Sequence, residues 1–281
     1  MRIPIIEVKK KMKTPLNFKV DKEKCIKCGL CAKDCLVKAI QIDEEGYPYS
    51  NATNCLGCQH CLAICPNGAI SSFDRNPDNS APNRHSVNSD DFMNLIENRR
   101  SCRQYKHENI DKEKMQKLKN MLNWVPTGCN FKDLHFSFIE DIDVMESVKD
   151  DLYTDLQKIV KFMPFGSKLK SYKNAIMKRN NDFIFRDAPH AVIVSVNKKA
   201  PCKDIDPTIA LSYFELYAQT LGLGTLWCGL GFWTIPLSKK VMKRLEIPKT
   251  HKIAYVMLFG NPAVEYKRGI QPEFYEMTTV K

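Results

Sequence analysis

Residues 25–43 read CIKCGLCAKDCLVKAIQID and residues 55–73 read CLGCQHCLAICPNGAISSF. Aligned at an offset of 30, the two stretches match at all four cysteines and at an Ala-Ile pair, Ala39-Ile40 and Ala69-Ile70. Such a repeat means two pseudosymmetric halves. Each half is a C-x2-C-x2-C-x3-C run, Cys25, Cys28, Cys31 and Cys35 in the first and Cys55, Cys58, Cys61 and Cys65 in the second. Eight of the chain's twelve cysteines therefore fall in 41 residues. The chain opens MRIPIIEVKKKMK, with no long apolar stretch behind its basic residues, so a cytosolic setting is expected, where thiols stay reduced and clustered cysteines serve metal or redox chemistry rather than disulfides.

The two runs are similar to those of bacterial two-cluster ferredoxins, with a proline, Pro66, after the last cysteine of the second. Three thiolates at spacings of three wrap one corner of a cubane, and the fourth ligand reaches in from farther along the chain. The assignment is Cys25, Cys28, Cys31 and Cys65 to one 4Fe-4S cluster, and Cys55, Cys58, Cys61 and Cys35 to the other. Leu36 follows Cys35 where such runs commonly carry proline. A pair of four-thiolate zinc sites is the alternative for cysteine pairs at this spacing, disfavoured by the two identical four-cysteine runs.

Working outward, residues 74–90 (DRNPDNSAPNRHSVNSD) are rich in Asn, Ser and Pro and lack apolar periodicity, as a solvated linker does. The expected organisation is a cluster domain at 1–73, a linker at 74–90 and a second domain at 91–281. In the second domain, Asp90-Asp91 are candidate caps of a helix through Phe92, Leu95 and Ile96. Another helix follows Asp111, with Met115, Leu118, Met121 and Leu122 at helical spacing, and a strongly apolar one runs from Pro207 to about Leu221. Strands are predicted at 134–139, 191–196 and 253–259. This is an α+β layout.

The chain of 281 residues carries 43 Lys and Arg against 32 Asp and Glu. The excess is spread over both domains, and the densest run, Lys9, Lys10, Lys11 and Lys13, reads as a solvated arm. No recognition motif accompanies it, so no nucleic-acid partner is expected. No apolar run approaches the roughly 18 residues of a membrane span, so no membrane partner is expected either. No G-x-G-x-x-G opens a helix after a strand, which argues against a Rossmann nicotinamide site. None of the six histidines has metal-like spacing, and neither an acid–base dyad nor a nucleophile triad is visible, so no catalytic side chain is assigned. The scattered Cys102, Cys129, Cys202 and Cys228 read as ordinary packing or surface residues, and Trp227, Phe232 and Trp233 as packing residues.

Four stretches of the second domain, in order, resemble the flavin-dependent nitroreductase family: Arg99-Arg100-Ser101-Cys102-Arg103, Pro126-Thr127-Gly128-Cys129-Asn130, Gly222 to Gly229 (GLGTLWCG), and Lys267-Arg268. The resemblance implies an FMN-dependent α+β sandwich that forms a homodimer with each flavin at the subunit interface. Carried over residue by residue, it implies that Arg99, Arg100, Ser101 and Arg103 meet the FMN phosphate, ribityl chain and pyrimidine edge. Lys267 and Arg268 would complete the phosphate clamp, and Thr127 and Asn130 would border the isoalloxazine. The Trp227-Cys228-Gly229-Leu230 stretch would turn a backbone N–H toward flavin N5. After Asn130 the chain reads Phe131-Lys132-Asp133 where the family commonly has Gln-Pro-Trp.

The expected whole is an iron–sulfur flavoprotein: a small ferredoxin-like domain with two 4Fe-4S clusters, then an FMN-dependent nitroreductase-like α+β domain. Electrons would pass from the clusters to FMN and on to an electron-poor small molecule such as a nitroaromatic or a quinone. An external ferredoxin or flavodoxin is the expected donor, since such carriers are typically acidic and this chain is basic. The alternative is an electron-transfer or redox-sensing module that delivers electrons to a partner protein.

Overall fold

The computed structural model describes residues 16–50, 54–82, 87–162, 172–178 and 182–280. The basic run at Lys9 to Lys13 and part of the expected linker (83–86) lie outside the described residues. The chain divides into two compact units, residues 1–86 with 129–131, and residues 87–128 with 132–281.

The repeat is visible in the backbone of the first unit. Helix α1 (Leu30–Lys33) and helix α2 (His60–Ala63) begin at equivalent places inside the two cysteine runs. Strand β1 (Lys19–Val20) pairs antiparallel with β4 (Ile70–Ser71), and β2 (Ile40–Ile42) with β3 (Pro48–Ser50). The offset of 30 maps Val20 onto Ser50 and Ile40 onto Ile70, so one ladder is the image of the other. Left-handed backbone recurs in matched positions: Lys27 and Gly57, Gly29 and Gln59, Lys38 and Gly68. In each pair one half uses glycine, which enters this region without strain, and the other uses a side chain held there by the loop. The buried apolar cluster is small, consisting of Cys31, Ile40 and Ile70 with partly buried neighbours such as Phe18 and Ile64. The expected linker holds a short 3-10 turn, Pro77–Asn79, capped by the Asn76 side chain.

The second unit is built on a four-stranded antiparallel sheet in the order β5-β6-β8-β7. The strands are β5 (Leu134–Ile139), β6 (His190–Asn197), β7 (Gly224–Trp227) and β8 (His251–Gly260). Helix α3 is Ser89–Asn98, α4 Lys112–Met121, α5 Ile142–Phe162 and α6 Lys173–Lys178. Helix α7 is Asp206–Thr220, α8 Gly229–Thr234 and α9 Lys239–Arg244. Alternation along the central strands sorts the core into two layers. Ala191, Ile193, Val256 and Leu258 pack with α5, α6 and α9, whereas Val192, Val194, Met257 and Phe259 pack with α4 and α7. Helices on both faces explain why β6 reads as a nearly continuous apolar run.

Two sequence expectations shift. Helix α3 is capped by Asn88, whose side chain accepts from the amides of Asp90 and Asp91; the aspartates occupy the first turn instead, where they favour the positive end of the helix dipole. Trp233 is 72% exposed, with an edge contact to the Phe232 ring, because α8 turns its face out at that position.

Candidate functional site

In the first unit, one cavity is lined by Cys25, Cys28, Cys31 and Cys65, with Pro66 and Ile70 beside them. This is the ligand set read from the two runs, three thiols from one and the fourth from the other. Among the described residues no group of three or more His, Cys, Asp or Glu side chains is arranged to hold a single metal ion. Four cysteines lining one cavity suit a cubane, in which each iron takes its own thiolate.

For the second set, the thiols of Cys55, Cys58 and Cys31 all act electrostatically on Cys61, so the two runs meet through Cys31 and Cys61. Burial pushes the Cys61 thiol up to about 11 and raises that of Cys31. Buried thiols of this kind keep their protons until a metal displaces them. The fourth cysteine of each run accepts a backbone N–H four residues on, Ala39 to Cys35 Sγ and Ala69 to Cys65 Sγ, both at 3.2 Å. Hydrogen bonds to ligating sulfur spread its negative charge and set a cluster's potential.

The same unit contains the tip of the loop that carries Thr127 and Asn130. Asn130 Nδ2 donates to the carbonyls of Leu56, at 3.1 Å, and Gly57, at 2.9 Å, which lie between Cys55 and Cys58. Cys129, Asn130 and Lys132 all have positive φ near 50°, and Cys129 is exposed. Such a run of left-handed non-glycine residues is sterically costly and persists only where its contacts fix it.

In the second unit, the residues after α3 form a short extra strand. Ser101 bridges Thr225 in parallel, and the Cys102 amide donates to the Thr225 carbonyl at 2.8 Å. On its other side, Lys106 donates to Asn261 O and Ala263 to Gln104 O. The approach is close enough that Gly224 is required, since a Cβ there would stand 2.6 Å from the Cys102 side chain.

Arg99 extends from this strand to Glu215 on α7, Nη1 to Oε1 at 3.3 Å. Glu215 is buried, and it also accepts from Thr225 Oγ1 at 3.2 Å and Trp227 Nε1 at 3.0 Å. One carboxylate thus ties Arg99, β7 and the Trp227 indole together. Arg100 lies over the Tyr266 ring, 5.4 Å from its centroid, and the backbone of Gly269 runs beside Asn98 and Glu97. Lys267 is exposed and pairs with Glu265, Arg268 is exposed beside it, and exposed Arg103 extends the strand of Ser101.

Cys228 caps α8 by accepting from the Gly231 amide, and its thiol donates to Ile184 O at 3.2 Å. Burial raises its thiol to about 11, an environment that favours the neutral packing form. Its own amide is held by Val256 O, which leaves Gly229 and Leu230 to open the helix. Thr127 sits apart, its Oγ1 accepting from the Lys132 amide, while the Gly128 amide is held by Asp206 at the start of α7. Asp206 and Glu215 are nine residues apart, roughly 14 Å along the helix.

Glu215 and Asp206 are residues that sequence reasoning missed, while Thr225 lay in the Gly222 to Gly229 stretch without a role assigned to it. Their signal was present: an acidic residue within the apolar stretch Ala210 to Tyr217 is a charge that burial tolerates only with partners.

An α+β sandwich with a basic, glycine-dependent strand crossing, joined in one chain to a thiol-lined cluster unit, defines a cofactor-dependent oxidoreductase. The chain belongs to the nitroreductase family, whose model matches residues 96–261. Residues 18–71 match the model of a 4Fe-4S dicluster domain.

Among curated relatives, the "Putative NADH dehydrogenase/NAD(P)H nitroreductase" of Methanothermobacter thermautotrophicus is 27% identical over 180 residues, 62% of this chain and 78% of that protein. The archaeal-type glutamate synthase [NADPH] of Thermotoga maritima is 41% identical over 63 residues, 21% of this chain; the match spans 12% of that protein's length. Among solved structures, the nitroreductase with bound FMN of Bacteroides fragilis has a TM-score of 0.56 at 19% identity, covering 69% of this chain and 100% of that one. A nitroreductase with bound FMN from Desulfitobacterium hafniense has the same TM-score at 22% identity, with the same coverage.

Proposed function

We propose that the protein is an iron–sulfur flavoprotein oxidoreductase that takes electrons singly at two 4Fe-4S clusters and delivers them in pairs, through FMN, to an electron-poor small molecule such as a nitroaromatic or a quinone. One observation carries the reading: the chain that folds as a nitroreductase also encloses a cavity walled by Cys25, Cys28, Cys31 and Cys65. The domain limits we assign are 1–73 for the clusters, 74–90 for the linker and 91–281 for the flavin.

The residues fit the FMN. Arg100, Ser101, Arg103, Lys267 and Arg268 supply guanidinium, ammonium and hydroxyl donors for a phosphate, by charge-assisted bonds. Arg99, already balanced by Glu215, orients the strand and faces the ribityl chain and pyrimidine edge. Trp227 and Cys228 are fixed by Glu215 and Val256, which holds the Gly229 and Leu230 amides ready for flavin N5. Thr127 and Asn130 are carried as isoalloxazine neighbours on the family resemblance alone, since Thr127 Oγ1 accepts from Lys132 and the Asn130 side-chain amide donates to Leu56 and Gly57. Bound flavin supplies the exchange between one-electron and two-electron chemistry, and the protein contributes binding, orientation and electrostatics.

The expected assembly is a homodimer. Support comes from apolar surface left uncovered: Phe92, Met93 and Ile96 on α3, and Phe274, Tyr275 and Met277 in the carboxy-terminal segment. The expected donor is an external ferredoxin or flavodoxin, and the expected compartment is the cytosol.

Anaerobic protein should contain FMN and about eight irons per chain, four for each cluster. After photoreduction it should reduce nitroaromatics or quinones in stopped flow. Zinc in place of iron, or absence of flavin after reconstitution, would overturn the proposal. Sluggish reoxidation by every small acceptor would transfer the assignment to the module that serves a partner protein.

A further inference from the structure

The two halves of the cluster unit share a backbone but not a surface. Residues 21–38, around the first run, carry five lysines, Lys22, Lys24, Lys27, Lys33 and Lys38, against Asp21, Glu23 and Asp34. The equivalent residues 51–68, around the second run, contain no Lys, Arg, Asp or Glu. The loops between the first two cysteines of each run differ in the same sense. In the first, Ile26 is 63% exposed and Lys27 is exposed, and both stand with Lys24 and Leu30 around the exposed Cys28. In the second, the matching Leu56 and Gly57 are only partly exposed, and their carbonyls accept from Asn130.

The charges on the first face are differently placed. Lys22 is paired with Glu45 and Lys24 with Asp78, while Lys27 lies over the Tyr47 ring, 4.4 Å from its centroid, a ring it shares with Lys22. An apolar centre ringed by lysines over a cluster-binding loop has the chemistry of a docking patch for an acidic protein. The apolar side chains exclude water at the centre, and the charges steer the encounter.

We infer that the first run, Cys25, Cys28, Cys31 and Cys65, is the electron port, and that the face formed by Lys24, Ile26, Lys27 and Leu30 docks an acidic one-electron carrier protein. The second run, whose Leu56 and Gly57 carbonyls accept from Asn130, would receive the electron next. At each encounter one electron would pass from the reduced carrier to a cluster held by Cys25, Cys28, Cys31 and Cys65. No bond forms or breaks and no proton moves, and two encounters supply the pair that the acceptor requires. The inference rests on the functional reading above and adds to it the place of entry and the charge of the donor.

The experiment uses the full-length holoprotein and a reduced acidic two-cluster ferredoxin as the probe. The Lys24→Glu/Lys27→Glu variant is compared with Lys198→Glu/Lys199→Glu, which makes the same charge change at exposed positions of the other unit. Iron content and cluster EPR spectra establish that each variant is loaded. In low salt, the first pair should slow cluster reduction by the ferredoxin at least tenfold and weaken binding of the oxidised ferredoxin in calorimetry by a similar factor. The second pair should change each less than twofold. Wild-type protein should lose the advantage as salt is raised.

Equal effects of the two pairs, or a ferredoxin rate indifferent to salt, would overturn the inference. So would ferredoxin failing to reduce wild-type protein whose clusters are reduced normally by photogenerated deazaflavin radical, a small neutral donor. Failure of the functional reading has its own signature: clusters reduced by that radical while bound FMN stays oxidised.

Discussion

The two units solve the problem of stability in opposite ways. The buried apolar cluster of the first is Cys31, Ile40 and Ile70, with Leu16, Ala39, Leu62 and Ala69 also buried, and its elements are two to four residues long. The second encloses two apolar layers around a sheet whose central strand, β6, is buried along seven of its eight residues. A chain segment with too small a core needs cross-links, and the cysteine runs of the first unit can supply them as thiolates on shared iron. Cluster ligation is therefore folding for one unit and ornament for the other's stability.

The comparison can be broken most directly by removing the iron. Acid-free chelation of the anaerobic protein should abolish amide protection throughout β1 to β4 while leaving β6 and β8 protected, as read by hydrogen exchange. Protection persisting in β1 and β4 without iron would show that Cys31, Ile40 and Ile70 suffice. The converse cut falls on Phe214, fully buried in α7 against Phe138 and Phe259. Phe214→Ala should destabilise the second unit by about 3–5 kcal/mol, from lost transfer energy and the cavity left behind. The cluster chromophore should survive, and a denaturant titration followed by tryptophan fluorescence and by visible absorbance should split into two transitions. A single shared transition would mean the units do not fold independently.

A smaller effect is expected where packing and cofactor binding meet. Glu215→Gln keeps the shape but weakens the bonds from Arg99, Thr225 and Trp227, leaving the guanidinium without its counter-charge. Loss of a hydrogen bond to a charged group costs roughly 1.5–3 kcal/mol. The expected outcome is weaker FMN retention with only a modest fall in melting temperature. Unchanged flavin affinity alongside a large fall would make Glu215 structural alone.

The first unit was the more legible in the sequence, because ligands are named by residue type. Eight cysteines at fixed spacing specify a pattern that survives any choice of side chain between them, and the repeat exposed its own symmetry. The second unit was legible where period and composition agree, as in β5, β6, β8, α4 and α7. Helix α5 carries Met145, Val148, Leu152, Leu156 and Val160 at helical spacing, yet it bears no motif and its role is only to cover one face. The network around Glu215 joins positions 99, 215, 225 and 227, and no local pattern announces a contact across 116 residues. The bond of Asn130 to Leu56 and Gly57 belongs to the same class, at sequence separations of 74 and 73.

The finest probe of the comparison is pH, because a buried core and a ligand-held one respond to acid through different groups. His190 opens β6, fully buried against Phe259, and its Nε2 accepts the Ile110 amide at 3.0 Å. Burial lowers its pKa below the ordinary 6.5, outweighing the Ile139 carbonyl and the Asp141 and Glu140 carboxylates, which favour the charged ring. Below about 6.5 the unfolded chain takes up a proton that the folded chain resists, since a protonated Nε2 would point its hydrogen at the Ile110 donor. Stability of the second unit should therefore be constant above that pH with respect to this group and fall as pH drops below it. His251, whose pKa burial also lowers, adds a slope of the same sign. The measurement is the difference between wild type and His190→Gln, whose side-chain oxygen accepts the amide without titrating. The variant's melting temperature should fall less steeply between pH 6.5 and pH 5. Identical slopes would place the acid sensitivity of this unit elsewhere than the ring at the start of β6.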